Sequence, residues 1–216
     1  MTSSAAPLPH VLFDLDGTLT DPYEGITRCL QHALSELGHD IRTQIELRSC
    51  IGPPLRQTFA SLLATDDSEL IERAVAHYRE RFFSVGLFEN ELYAGTIEML
   101  EALQRNGHRM FIVTSKVASA ASRIIEYFGI AQFFERVYGS DLDGRFDDKG
   151  ELIAHVLIEN GLHPSHCVMV GDRLHDIQAA RRNEMSSIGA TWGFAVDDEL
   201  SVAGATCLCS DPTRLP

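Results

Sequence analysis

The sequence predicts an α/β fold: a doubly wound parallel sheet with helices on both faces, and an all-helical segment inserted near its start. Three observations carry this reading. Short apolar runs of strand length recur along the chain, segments with helical periodicity fill the intervals between them, and one long interval after the first run is helical throughout.

The first run, His10-Val11-Leu12-Phe13-Asp14, is apolar and ends in a carboxylate, so it reads as a buried strand. From Asp21 to about Glu91 the periodicity is helical only. Asp21 and Pro22 suit a helix start, with Glu24 at capping-box spacing. Ile26, Leu30, Ala33, Leu34 and Leu37 then form one stripe that stops at Gly38. Pro53-Pro54 opens a helix carrying Leu55, Phe59, Leu62 and Leu63. A third helix spans roughly Ser68 to Ser84, with Ile71, Val75, Tyr78 and Phe82 on its buried side. Phe59 and the pair Phe82-Phe83 are expected in the core of this insertion. Ile97, Leu100 and Leu103 precede Gly107, and the second strand follows as Arg109-Met-Phe-Ile-Val-Thr114. Val117, Ala121, Ile124, Ile125 and Phe128 repeat the helical period up to Gly129. Arg136-Val-Tyr-Gly139 is the third run. Leu152, Ile153, Val156 and Leu157 form a helix closed by Gly161, then come strands at Cys167–Gly171 and Ser187–Thr191. The division is therefore a core of residues 1–20 and 92–216, with a helical cap of residues 21–91. No internal repeat or low-complexity tract interrupts it.

Composition restricts the partners. The 216 residues are 44% hydrophobic, enough for one sizeable core and a small satellite. A formal net charge of −13 argues against nucleic acid and against an anionic membrane surface, both of which favour basic faces. No apolar run reaches the roughly 18 residues of a membrane span, and residues 1–9 lack the basic start and apolar stretch of a signal peptide. The five cysteines are dispersed and odd in number, as suits reduced thiols in a cytoplasm. Cys207 and Cys209 are expected to share one face of a strand and to be buried.

In an open parallel sheet, ligands bind beyond the carboxyl ends of the strands. The runs above deliver Asp14, Asp16, Gly17 and Thr18, then Thr114, Ser115 and Lys116, then Asp172 and Asp176 to that rim, and Lys149 opens the helix before Asp172. A single aspartate at a strand end is ordinarily a turn or cap residue. Four carboxylates on one rim are costly together unless a cation neutralises them, and an all-oxygen set points to Mg²⁺. Lys116 reads as a surface residue at a helix start, Arg145 and Arg173 as solvated, and His175 as exposed on a loop. Asn183-Glu184 calls for a local backbone adjustment.

Asp14-Leu15-Asp16-Gly17-Thr18-Leu19, Thr114, Lys149 and Gly171-Asp172 with Asp176 stand in the order of the four motifs of the haloacid dehalogenase superfamily. With the helical insertion after the first motif, the chain resembles its phosphoglycolate-phosphatase-like branch across nearly the whole length. Ile51-Gly52-Pro53-Pro54-Leu55 and Gly86-Leu87-Phe88-Glu89-Asn90 also resemble that branch. Gly150 stands where many relatives have proline after the motif lysine.

The resemblance implies a Mg²⁺-dependent phosphatase working through an aspartyl-phosphate. Asp14 would be the nucleophile and Asp16 the acid and base. Thr114, the Ser115 amide at a helix N-terminus and Lys149 would bind the phosphate. Asp14, the Asp16 carbonyl and Asp172 would hold the metal, with Asp176 orienting from behind. The substrate would be a small phosphate ester such as phosphoglycolate or a nucleoside monophosphate. Its leaving group would meet the cap near Tyr23-Glu24 and Cys50–Pro54, and hinges near Thr20–Asp21 and Glu91–Ala94 would gate entry. Asp16 argues against dehalogenase and phosphonatase chemistry. A sugar phosphomutase of the same superfamily and a catalytically idle phosphate-binding module are the alternatives; oligomeric state is not readable.

Overall fold

The computed structural model describes residues 9–216; the reading of the first eight residues as lacking a leader lies outside them. Six parallel strands form the main sheet: β1 (His10–Phe13), β4 (Met110–Val117), β5 (Arg136–Ser140), β6 (Cys167–Gly171), β7 (Ser186–Ala190) and β8 (Cys207–Cys209), in the order β5-β4-β1-β6-β7-β8. Chain order reverses at β1, which pairs with β4 on one side and β6 on the other. That switch point is where the crossover connections diverge and leave a crevice.

Alternation along β1 assigns its side chains to opposite faces. Val11 and Phe13 join a cluster with α5 (Thr96–Arg105) and α6 (Ala118–Tyr127), through Leu100, Leu103, Ile124 and Ile125. Leu12 faces the other way, against Leu152, Ile153 and Val156 of α7 (Lys149–Asn160) and Ala179 and Ala180 of α8 (Leu174–Arg182). Both faces are thereby covered, as the near-continuous apolar strands require.

Two short strands, β2 (Thr20–Asp21) and β3 (Glu91–Leu92), pair antiparallel with Thr20 opposite Leu92. The two segments expected as hinges thus run side by side. Between them lie α1 (Tyr23–Glu36), α2 (Gln44–Leu47), α3 (Leu55–Leu63) and α4 (Ser68–Arg81), the last continuing as a π-helical turn at Phe82–Gly86. The stripe of α1 packs on α4, and Phe59, Tyr78 and Phe82 are buried together. The short helix α2, with a full capping box at Thr43 and Glu46, has too few apolar positions to show a period.

Several local expectations are corrected. Glu24 does not complete a capping box; Pro22 occupies the cap position, the Asp21 carboxylate accepts from the Tyr23 amide at 3.0 Å, and Glu24 pairs with Arg28 instead. Cys207 and Cys209 do lie on a strand, but β8 is the sheet edge, so Cys207 is exposed and Cys209 half-buried. Glu184 takes the left-handed conformation, with φ 57°, where the adjustment was expected. No described helix is long and apolar enough to cross a membrane.

Candidate active site

Asp14 follows directly on β1, with its amide bonded to the Val170 carbonyl of β6 at 2.9 Å. Placement at the switch strand puts its carboxylate between the ends of β4 and β6. Asp172 follows β6, and Asp176 lies in the first turn of α8, where its Oδ2 accepts the Arg173 amide at 3.0 Å. One carboxylate oxygen from each of Asp14, Asp172 and Asp176 falls within 4.8 Å of the others, and all three residues are buried. Gly17, in the left-handed region at φ 84°, turns the chain over this cluster; a Cβ there would collide with the Asp172 carboxylate. Asp172 is held by the Phe194 amide at 2.7 Å, with the Thr18 hydroxyl at 3.5 Å.

Lys149, the first residue of α7, is buried with its Nζ 3.0 Å from Asp14 Oδ1 and bonded to Asp176. The ammonium and the Asp14 carboxylate are thus at ion-pair distance. Burial works against the charged lysine, yet Asp14 and Asp176 outweigh it and hold Lys149 above the ordinary lysine value. Asp148 caps α7 by accepting from the Glu151 amide at 3.0 Å and also pairs with Arg182. That guanidinium lies over Gly150, where any Cβ would strike it. Arg182 is an exposed, flexible side chain that can swing aside, so this contact alone does not demand a glycine after the motif lysine.

Lys116 was expected at the surface of a helix start. Instead β4 continues to Val117, with an irregular register between Val113 and Val117, and α6 begins only at Ala118. Lys116 is drawn inward: its side chain is 8% exposed, its Nζ lies 2.7 Å from Asp16 Oδ2, and it sits 4.5 Å from the centre of the Phe82 ring. The extension of β4 also places the Ser115 amide three residues before the helix start, not at it. Thr114 is buried beside the site, its hydroxyl accepting from the Lys116 amide at 3.2 Å. Arg173, expected to be solvated, is 7% exposed; it pairs with Glu199 at 2.9 Å and donates to the Ile51 carbonyl of the helical segment. Arg145 is exposed as expected, whereas His175 is half-buried in the first turn of α8.

Charge balance tests the fit to a divalent ion. Three buried carboxylates, Asp14, Asp172 and Asp176, cluster around one ammonium group, Lys149, while Asp16 has Lys116 to itself. The shortfall equals the charge of one divalent cation, and the donors are hard oxygens throughout. Burial first, then Asp176 and Asp14, push the Asp172 carboxyl well above the usual range. Asp176 is raised in the same way, by burial foremost. Burial raises Asp16 too, against the opposing pull of Lys116, and its Oδ1 has no hydrogen-bond partner. The residues fit a bound metal.

The sequence profile of the haloacid dehalogenase-like hydrolases matches residues 11–190. The chain belongs to this family. This hydrolase is 46% identical over 215 residues to a Pseudomonas aeruginosa protein named 5′-nucleotidase, covering 100% of this chain and 97% of that one. It is 35% identical over 196 residues to the tyrosine-protein kinase PtkA of Mycobacterium tuberculosis, covering 91% of this chain and 66% of that protein. Among solved structures, a predicted phosphatase from Clostridium acetobutylicum superposes with a TM-score of 0.90 at 35% identity, covering 94% of this chain and 95% of that one.

Above the carboxylates, the crevice continues into a chamber between the sheet rim and helices α1, α3 and α4. Cys50, Gly52 and Pro53 line it as anticipated; Tyr23 and Glu24 do not. Sequence reasoning placed Lys116 on the rim but read it as a surface residue, and it did not single out Gly193, which packs against Asp172 and the Gly17 carbonyl, or the Phe194 amide. For Lys116 a signal existed, since a strand continued past Thr114 would alternate and carry Lys116 to the same side. For Gly193 and Phe194 there was none, because a backbone amide and a missing side chain leave no motif.

Proposed function

We propose that this hydrolase is a Mg²⁺-dependent phosphatase that passes the phosphoryl group of a small phosphate ester through Asp14. The observation that carries the reading is the buried aspartate cluster at the switch strand, two positive charges short of neutrality. Asp14, Asp172 and the Asp16 carbonyl would hold Mg²⁺, with Asp176 fixing Lys149 behind them. When bound, the ion offsets repulsion between a carboxylate nucleophile and a dianionic ester. Residues 1–20 and 92–216 serve as the catalytic core and residues 21–91 as the cap that carries the leaving-group side of the chamber.

Asp14 attacks phosphorus and becomes an aspartyl-phosphate. Asp16, whose Oδ1 is buried and unpartnered, gives its proton to the departing oxygen and then takes one from the attacking water. Lys116 fixes the Asp16 carboxylate by its other oxygen. Lys149, Thr114 and Ser115 bind the transferred group, Lys149 reaching Asp14 directly. Among esters, a nucleoside 5′-monophosphate is favoured, because the chamber beyond Asp16 is largely apolar and the Pseudomonas relative is named for that substrate.

Hydrolysis of an aryl phosphate with and without Mg²⁺ is the test. Turnover is expected to vanish with chelator and to fall at least about 10³-fold in Asp14→Asn. A phosphoryl mass increment on the native chain should be absent from that variant. Activity persisting in Asp14→Asn would defeat the proposal. Release of free phosphate, rather than its return to a sugar, separates this reading from a phosphomutase.

A further inference from the structure

The steps above leave the cap side of the chamber unexplained. Its walls there are mostly apolar, with Ile26, Leu30, Leu55, Val75, Phe82 and Phe83 facing the space. Arg56, Thr58, Tyr78 and Arg79 of the cap helices, with Asp147 opposite, add polar groups to these walls, and two of them have a polar atom without a partner. Thr58 of α3 is 6% exposed, and its hydroxyl has no hydrogen-bond partner. Arg79 of α4 donates from Nη1 to the Leu142 carbonyl at 3.2 Å, while its buried Nε finds no acceptor. The neighbouring Arg56 differs, being paired with Glu72 and with Asp147. Among the described residues, five buried side-chain polar atoms have no hydrogen-bond partner, and four of them belong to residues lining this one chamber: Asp14, Asp16, Thr58 and Arg79. Leaving such groups unpaired is costly, so their concentration points to a ligand that pairs them. Asp14 Oδ1 has the Lys149 ammonium at 3.0 Å and belongs with Asp16 to the reacting centre; Thr58 and Arg79 lie on the cap helices, on the leaving-group side.

The partner they fit is a flat, largely apolar body with a polar edge. Arg79 Nε is a donor only, whereas the Thr58 hydroxyl donates or accepts. A short carboxylate ester would satisfy Arg79 but leave the aromatic and aliphatic walls uncovered. We propose that Thr58 and Arg79 are specificity residues that read the base of a nucleoside 5′-monophosphate, Arg79 donating to an acceptor atom on the base edge and Thr58 pairing beside it. This rests on the phosphatase reading and adds to it which side chains select the leaving group.

The experiment compares kcat/KM for nucleoside 5′-monophosphates with that for ribose 5-phosphate, which has the same ester and no base, in the full chain and in Thr58→Val and Arg79→Met. The native protein is expected to favour the nucleotides, and each variant should cut the ratio of the two values by roughly tenfold. Melting curves show that the variants fold; should Arg79→Met fail to fold, the near-isosteric Thr58→Val decides alone. A ratio unmoved in the folded variants, or no native preference for a base, overturns the proposal while leaving the phosphatase intact. Failure of the native protein to hydrolyse any ester, aryl phosphate included, overturns the phosphatase reading and this one with it.

Discussion

Gly193→Ala probes the aspartate cluster, and the proposal that it holds Mg²⁺, from a residue that carries no chemistry of its own. Gly193 has no positive φ, so alanine adds no backbone strain there. Its new Cβ would stand 2.5 Å from both Oδ2 and Cβ of Asp172, and closer still to the Gly17 carbonyl. Clearing the nearest of these, the Gly17 carbonyl at 2.3 Å, to the tightest contact real Cβ atoms show, 3.0 Å, requires a shift of 0.7 Å, and ordinary contact at 3.4 Å requires 1.1 Å; the Asp172 atoms need 0.5 and 0.9 Å. Asp172 has little freedom to give way, being fully buried and held by the Phe194 amide at 2.7 Å. Overpacking of this kind costs about 1–3 kcal/mol, or roughly 2–4 °C of melting temperature per kcal/mol in a chain of this size. The functional loss should be larger, because a misplacement near 1 Å costs on the order of 10²-fold and Mg²⁺ tolerates little distortion. Two measurements check this: aryl phosphate turnover against Mg²⁺ concentration, and the rise in melting temperature that Mg²⁺ confers. Gly38→Ala is the control. Gly38 has φ 70° and no atom within 4 Å of a built Cβ, so alanine there should cost about 1 kcal/mol of stability and leave the Mg²⁺ response alone. If Gly193→Ala responds to Mg²⁺ as Gly38→Ala does, the reasoning is wrong.

Lys116→Met removes the charged partner of Asp16 while keeping an apolar stem against Phe82; kcat on an aryl phosphate should drop by about 10²-fold, and a loss under twofold would show that Lys116 merely packs. Glu89 ties the start of β3 to the helical segment through Arg81, at 2.7 and 3.0 Å, and Arg28 at 2.8 Å. Hydrogen bonds from Arg81 first, then Arg28, against the opposing effect of burial, hold its carboxyl below the usual range. The depressed value means that the stabilisation is present above the unfolded glutamate value, near 4.3, and fades as pH falls through the folded one. Glu89→Gln should therefore melt lower than the native protein at neutral pH by about 1 kcal/mol or less, given partial exposure, and the gap should close in acid. A gap that persists below that range would assign the loss to packing.

Much of this protein was legible in its sequence because its information is local. Apolar runs with strand length, helical stripes stopped by Gly38, Gly129 and Gly161, and the spacing of Asp14, Asp16, Thr114, Lys149, Asp172 and Asp176 survive as one-dimensional patterns. Periodicity marks the face an element buries, and a parallel sheet turns strand order into a rim where those residues meet. The misreadings fall where partners come from far along the chain. Lys116 and Arg173 look like solvent-facing cations until Asp16 and Phe82 surround the one, and Glu199 and Ile51 the other. Cys207 and Cys209 have the alternation of a strand, but only sheet order made that strand an exposed edge. The sequence by itself determined the main-sheet strands and their covering helices, which acidic and hydroxyl residues reach the rim, and the family. The tertiary structure alone decided which cations are buried beside which carboxylates, that Gly193 and the Phe194 amide shape the Asp172 site, and that Thr58 and Arg79 face the same chamber. The reason is physical: burial and charge pairing are properties of space around a group, and the residues that create that space here lie from tens of positions to more than a hundred apart along the chain.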